Sequence, residues 1–230
     1  SRISWRCCKV LKTRIIPTLL FKKVGLVKGV SFDSWRRVGT SLPAVKVYCQ
    51  REVDELIFLD IAATPAEESV DVEEVDQLAD ECFMPLAVGG GLSTVEQMRA
   101  ILRAGADKVT INSAAIENPQ LIKEASDLFG RQCVIVSIDV LKNKSGEYEV
   151  YSHCGTRATA LHPKEWAHRV CELGAGEILL TSIERDGTMK GYDIELTKMV
   201  TSTVSIPVIA SGGAGSYEDM YEVLKEGKAN

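Results

Sequence analysis

Short apolar runs of strand length alternate along this chain with longer segments whose apolar residues recur every three to four positions, and glycine or proline punctuates most junctions. Seven runs read as strands: residues 15–20, 55–61, 85–88, 108–112, 134–139, 177–183 and 207–211. Between them residues 94–104, 119–129, 163–173 and 217–226 read as helices, closed by Gly105, Gly130, Gly174 and Gly227. Strand and helix in strict alternation predict βα units on a parallel sheet, an α/β fold.

The pattern repeats. Pro85-Leu86-Ala87-Val88-Gly89-Gly90-Gly91 and its following helix recur 122 residues later as Pro207-Val208-Ile209-Ala210-Ser211-Gly212-Gly213 with a second helix. Glu55-Leu56-Ile57-Phe58-Leu59 and Glu177-Ile178-Leu179-Leu180 match at the same spacing. Glycines ahead of a helix N-terminus can aim backbone N–H groups at an anion, so two such loops suggest a ligand with a phosphate at each end; a tight βα turn uses the same residues. The repeat also predicts a (βα)8 TIM barrel built from two half-barrels. Gly105-Ala106-Asp107-Lys108 leads into a strand, whereas Gly227-Lys228-Ala229-Asn230 reaches the last residue given, so an eighth βα unit is expected beyond it. Residues 1–11 carry no pattern and read as a tail; residues 12–230 read as one barrel domain.

Composition narrows the function classes. A chain of 230 residues, 45% hydrophobic, can bury one large core, and its net charge of -5 with scattered Lys and Arg does not suggest a nucleic-acid surface. Seven cysteines show no CxxC or Cys/His spacing and three histidines stand beside no candidate nucleophile, so neither a metal nor a triad is expected, and no cofactor. No run of 18 apolar residues or signal-like N-terminal stretch is visible, which suggests a cytoplasmic protein without a membrane partner.

In a βα barrel, chemistry gathers where strands end. Those positions are Asp60, Gly89 to Gly91, Asn112 and Ser113, Asp139, Thr181 and Ser182, and Ser211. Asp139, closing an apolar run, is the candidate general acid or base, with helix capping or ion pairing as the plainer role; Asp60 could equally cap its turn. Asp186 and Gly187 read as a turn over the site, with Gly187 open to a phosphate. Residues 22–39, containing Lys28, read as a long basic loop, either a mobile lid or solvated surface. Arg14, Glu55, Lys108 and Glu177 stand where strands begin; they either face solvent or close a polar ring across the barrel axis.

These residues carry a resemblance. Arg14-Ile15-Ile16-Pro17, Phe58-Leu59-Asp60-Ile61, Val88-Gly89-Gly90-Gly91, Lys108-Val109-Thr110-Ile111-Asn112-Ser113-Ala114-Ala115, Gly176-Glu177-Ile178-Leu179-Leu180-Thr181-Ser182, Arg185-Asp186-Gly187-Thr188 and Ala210-Ser211-Gly212-Gly213-Ala214-Gly215 make the stretch from Lys12 to Asn230 similar to the cyclase subunits of imidazole glycerol phosphate synthase. The resemblance implies a lyase that takes ammonia from a glutaminase partner in a heterodimer and, with a bisphosphate substrate, forms imidazole glycerol phosphate and aminoimidazole carboxamide ribonucleotide. It implies Arg14, Glu55, Lys108 and Glu177 as an ammonia gate and Asp107 on the glutaminase docking face. Gly91, Asn112, Ser113, Gly187 and Gly213 match phosphate-site positions, Lys28 matches a lid residue, and Thr181 and Ser211 match polar positions beside the substrate. Those cyclases pair an Asp on the first strand with one on the fifth; this chain has Leu20 and Asp139 there, and Thr18 replaces a Cys. Two alternatives follow from that departure: a divergent homologue delivering ammonia for sugar amidination, and a non-catalytic conduit that activates a glutaminase.

Overall fold

The computed structural model describes residues 13–230 except Val24 and Glu67, so the expected tail at 1–11 lies outside the described residues. Its elements are β1 (Thr18–Phe21), β2 (Leu26–Val30), β3 (Asp33–Gly39), α1 (Ser41–Gln50), β4 (Leu56–Asp60), α2 (Val72–Glu81), β5 (Leu86–Gly89), α3 (Val95–Arg103), β6 (Lys108–Ile111), α4 (Ser113–Glu117), α5 (Gln120–Phe129), β7 (Val134–Lys142), β8 (Tyr148–Ser152), β9 (Arg157–Ala158), α6 (Pro163–Glu172), β10 (Glu177–Ser182), α7 (Ile194–Thr201), β11 (Val208–Ser211) and α8 (Tyr217–Lys225). Sheet order is β11-β10-β7-β6-β5-β4-β1-β2-β3, with β8 and β9 branching from β7. From β1 to β11 through β4, β5, β6, β7 and β10, every pairing is parallel.

Strand alternation divides the apolar residues between two layers. Outward residues such as Leu56, Phe58, Val88, Val109, Val136, Ile178 and Val208 pack against the helices in the larger core. Inward residues Ile57, Ala87, Ile135, Leu179 and Ile209 meet one another in a second cluster with Ile16 and Leu59 against it. Residues of β4, β5, β7, β10 and β11 can touch inside only if the sheet curls, so the fold is a TIM-barrel-like α/β structure.

The internal repeat extends to details. Thr94 caps α3 and Ser216 caps α8, each in a reciprocal capping box, with Gln97 and Asp219 respectively. Before β6, Asp107 N donates to Leu86 O at 2.8 Å and Asp107 Oδ2 accepts from Leu86 N at 2.9 Å. Asn230 makes the same pair with Val208, at 3.1 and 3.2 Å.

Two segments differ from expectation. Residues 22–39 form an antiparallel hairpin, β2 and β3, on the edge of β1 rather than an irregular loop. Ser31 and Phe32 turn it with φ of 50° and 60°, a left-handed turn made without glycine or asparagine, which is why turn chemistry did not reveal it. The β7 strand runs on to Lys142 and folds back as β8 and β9, beyond the expected stop at Asp139.

Ile135 lies fully buried in the inner layer, where a truncated side chain leaves a hole that parallel strands on both sides cannot close. Ile135→Ala is expected to destabilise the barrel by about 2–5 kcal/mol, read as a lowered urea midpoint at unchanged slope.

Candidate active site

At the end where strands begin, the alternative of solvent-facing charges is not what forms. Arg14 Nη1 donates to Glu55 Oε2 at 2.9 Å and to Glu177 Oε1 at 3.0 Å, and Lys108 Nζ reaches Glu55 Oε1 at 2.8 Å and Glu177 Oε1 at 3.0 Å. Two acids and two bases thus alternate in a closed ring. Glu55 is only 2% exposed, so its charge is held by its partners rather than by water. Burial disfavours the Arg14 charge, but the hydrogen bonds and charges of Glu177 and Glu55 outweigh it and hold the guanidinium firmly protonated. Asp107 is exposed at this same end, one carboxylate oxygen occupied by Leu86 N.

Above the ring come the inner apolar layer and then a cavity of about 590 Å³ at the strand ends. Asp60, Gly91, Asn112, Ser113, Asp139, Thr181, Asp186 and Ser211 all line it. Gly212 instead lines a second cavity, of about 330 Å³, between the β1 and β11 sides. Lys28, Gly187 and Gly213 line neither.

Asp139 sits at the centre of the polar part. It is 8% exposed; its Oδ2 accepts from Asn112 Nδ2 at 2.8 Å and its Oδ1 from Ser137 Oγ at 3.2 Å. Burial is the main reason its pKa rises to about 7; the Ser137 and Thr181 hydroxyls pull it down and the nearby Asp186 charge pushes it up. Such a group gives or takes a proton near neutrality. Asp60 and Asp186 are also raised, chiefly by burial. Asp60 does cap its turn, accepting from Ala62 N at 2.8 Å, while still facing the cavity. Ser113 Oγ accepts the backbone N–H of His153, tying the turn after β8 to the wall. Leu20 and Leu59, paired across β1 and β4, make their part of the wall apolar.

The two glycine loops are demanded by close backbone packing. A Cβ on Gly91 would lie 1.8 Å from Glu68 O, and one on Gly213 would lie 2.1 Å from Gly191 O, both at positive φ. The hairpin closes over the third side. Ser31 N donates to Asp186 O at 2.9 Å, and the exposed Gly187 abuts Gly29 O, so the turn at 183–188 and the hairpin are held together. Lys28, Arg36 and Arg37 lie exposed on the hairpin.

Several lining residues escaped sequence reading. Ser137 and Thr110 were findable, since each stands two residues before a named site residue and so shares its inward face. Phe32, Trp35, His153 and Cys154 enter the wall from the two hairpins, whose folding was not anticipated. Burial pushes the Cys154 thiol up to about 11, so it is a thiol at neutral pH. The five described cysteines are free, and no described helix is long and apolar enough to cross a membrane.

The chain is thus a TIM-barrel-like α/β protein with a closed charged ring at one end and a carboxylate-bearing cavity at the other. Residues 14–230 match the family described as histidine biosynthesis protein. The chain is 46% identical to imidazole glycerol phosphate synthase subunit HisF of Alkaliphilus metalliredigens over 221 residues, covering 96% of this chain and 88% of that one. It is 46% identical to the HisF subunit of Methanococcus vannielii over 241 residues, 96% and 89% of the two chains. Against HisF of Dehalococcoides mccartyi it is 48% identical over 221 residues, 96% and 87%. The chain belongs to the histidine biosynthesis protein family.

The raised pKa has a consequence for stability. Because native Asp139 keeps its proton up to about pH 7 while an unfolded Asp loses it near 4, the native state binds more protons across that window. Asp139 therefore costs stability as pH rises from about 4 to about 7, and the cost is complete above that. Asp139→Asn should flatten the unfolding free energy between about pH 4 and about pH 7 in urea titrations; an unchanged slope would show that burial does not hold the proton.

Proposed function

We infer that this protein is the cyclase subunit of an imidazole glycerol phosphate synthase. It uses ammonia released by a glutaminase partner to convert a phosphoribulosyl-formimino aminoimidazole carboxamide ribonucleotide into imidazole glycerol phosphate and aminoimidazole carboxamide ribonucleotide. The observation that carries the reading is Asp139: a buried carboxyl with a pKa of about 7, oriented by Asn112 and Ser137, inside a cavity lined by the first glycine loop and by Ser211 ahead of the second. The names of the relatives supply the reaction. They favour histidine synthesis over sugar amidination.

In this reading the glycine loops, with Asn112 and Ser113 at one end and Gly187, Ser211, Gly212 and Gly213 at the other, hold the two phosphates. Lys28 serves the lid, and Asp60, Thr181 and Asp186 contact the substrate's polar body. Ammonia enters at the ring, beside the docking face that includes Asp107. The apolar layer of Ile57, Ile135, Leu179 and Ile209 admits neutral ammonia and opposes ammonium, whose charge would be desolvated there. Addition of ammonia and closure of the imidazole ring both require protons to leave nitrogen and reach oxygen. Asp139 is the group placed to carry them; Leu20 supplies no carboxylate from the first strand, and Asp60, also on the cavity wall, is the group that could share the task.

Two measurements test this. With ammonia and the bisphosphate substrate, the wild-type chain should turn over, Asp139→Asn should lose about a hundred- to ten-thousand-fold, and Leu20→Asp should gain. A wild type without turnover, revived by Leu20→Asp, would mark a barrel that no longer performs the cyclisation. In complex with a glutaminase, Lys108→Met should leave ammonia-driven turnover intact and cut glutamine-driven turnover at least about tenfold, since a broken ring no longer passes ammonia in step with its release. Equal coupling in wild type and variant would remove the gate from the mechanism.

A further inference from the structure

Trp35 is an aromatic side chain on the cavity wall for which neither the glycine loops nor Asp139 has a use. It stands on β3, in the hairpin that covers the cavity, and it is half-buried. Its setting looks built. Across the hairpin, beside the irregularity between Lys28 and Val30, it faces Gly29, and a Cβ on Gly29 would lie 2.7 and 2.8 Å from Trp35 Cε3 and Cζ3. A glycine opposite an aromatic lets the ring lie flat over the bare backbone, which fixes its rotamer. Lys22 Nζ, 5.9 Å from the ring centroid, adds a cationic neighbour. Phe32, the lid's other aromatic in the wall, is already engaged against Gly155.

We propose that Trp35 is the specificity-determining platform on which the heteroaromatic ring of the substrate stacks, so that the lid recognises the aminoimidazole end while the glycine loops hold phosphates. This rests on the function inferred above. A flat indole, immobilised before the ligand arrives, loses little entropy on binding, and its face accepts a planar, electron-rich ring where Leu20, Leu59 and Ile61 supply only apolar surface. The hairpin is seated on the turn at 183–188 through Ser31 and Gly29, so a ring against Trp35 also links ligand binding to lid position.

The test compares two phosphates that differ by the ring: aminoimidazole carboxamide ribonucleotide and ribose 5-phosphate, titrated calorimetrically into the full chain. Stacking of a base on an aromatic side chain predicts that Trp35→Leu weakens the ribonucleotide at least about tenfold and ribose 5-phosphate less than about twofold, while Trp35→Tyr recovers most of the loss. Unchanged ribose 5-phosphate binding also shows that the variant is folded. Equal weakening of both ligands would make Trp35 a prop for the lid and overturn the proposal, as would a ribonucleotide affinity indifferent to Trp35→Leu. A wild type that binds neither phosphate would instead overturn the functional reading on which the proposal stands.

Discussion

The ring of Arg14, Glu55, Lys108 and Glu177 is the interaction on which the barrel's interior depends. Arg14 precedes β1 at one side of the parallel run and Glu177 opens β10 near the other, yet their side chains meet at 3.0 Å. That contact requires the sheet to curl almost completely. Each member would be costly to bury alone, and removing one partner from such a network leaves an uncompensated charge, at about 3–5 kcal/mol. The ring therefore specifies closure: a flatter or slipped sheet would strand a nearly inaccessible Glu55 without a cation.

Everything above the ring follows from strand alternation at that register. Two residues on from Glu55, Lys108 and Glu177 come Ile57, Thr110 and Leu179, and two further on come Leu59, Asn112 and Thr181. Charge, apolar seal and polar chamber are thus stacked along one axis by the period of two, with no loop needed to order them. A chamber sealed below and lidded above is also what raises Asp139, since burial dominates its shift. The glycine loops contribute in another way. Gly91 and Gly213 let neighbouring backbone, at Glu68 and Gly191, pack where a side chain would not fit.

Much of this was legible in the sequence, and the failures share a cause. All seven parallel strands lie where apolar runs placed them, and the helices behind the two glycine loops, α3 and α8, lie within a residue of their expected bounds. What could not be read was convergence. Arg14 and Glu177 are 163 residues apart, and nothing local distinguishes a charge facing water from one facing its counterion across a barrel. The lid failed for a different reason: its turn at Ser31 and Phe32 uses left-handed backbone without the residues that usually announce it, and its exposed Lys28, Arg36 and Arg37 look like solvated loop. Trp35 and Phe32 went unnoticed with it, because a lid's inner face has meaning only once the lid is folded.

In the function proposed, Leu20 bears on how the chemistry is arranged. With a second carboxylate across the chamber, proton removal and proton delivery could be divided between two groups whose charges keep their pKa values apart. With leucine there, the first strand offers no such group, and in the function proposed a carboxyl that serves both directions needs a pKa near the working pH. Asp139 meets the condition through burial and the neighbouring Asp186 charge, without any contribution from the first strand. Leu20 also makes the wall beside Leu59 apolar, which favours the neutral form of a carboxyl nearby. In the function proposed, an apolar first strand and a Trp-bearing hairpin act in one direction: they make a chamber in which Asp139, the most deeply buried of its acids, carries the protons, and in which stacking and exclusion of water add to charge in reading the ligand.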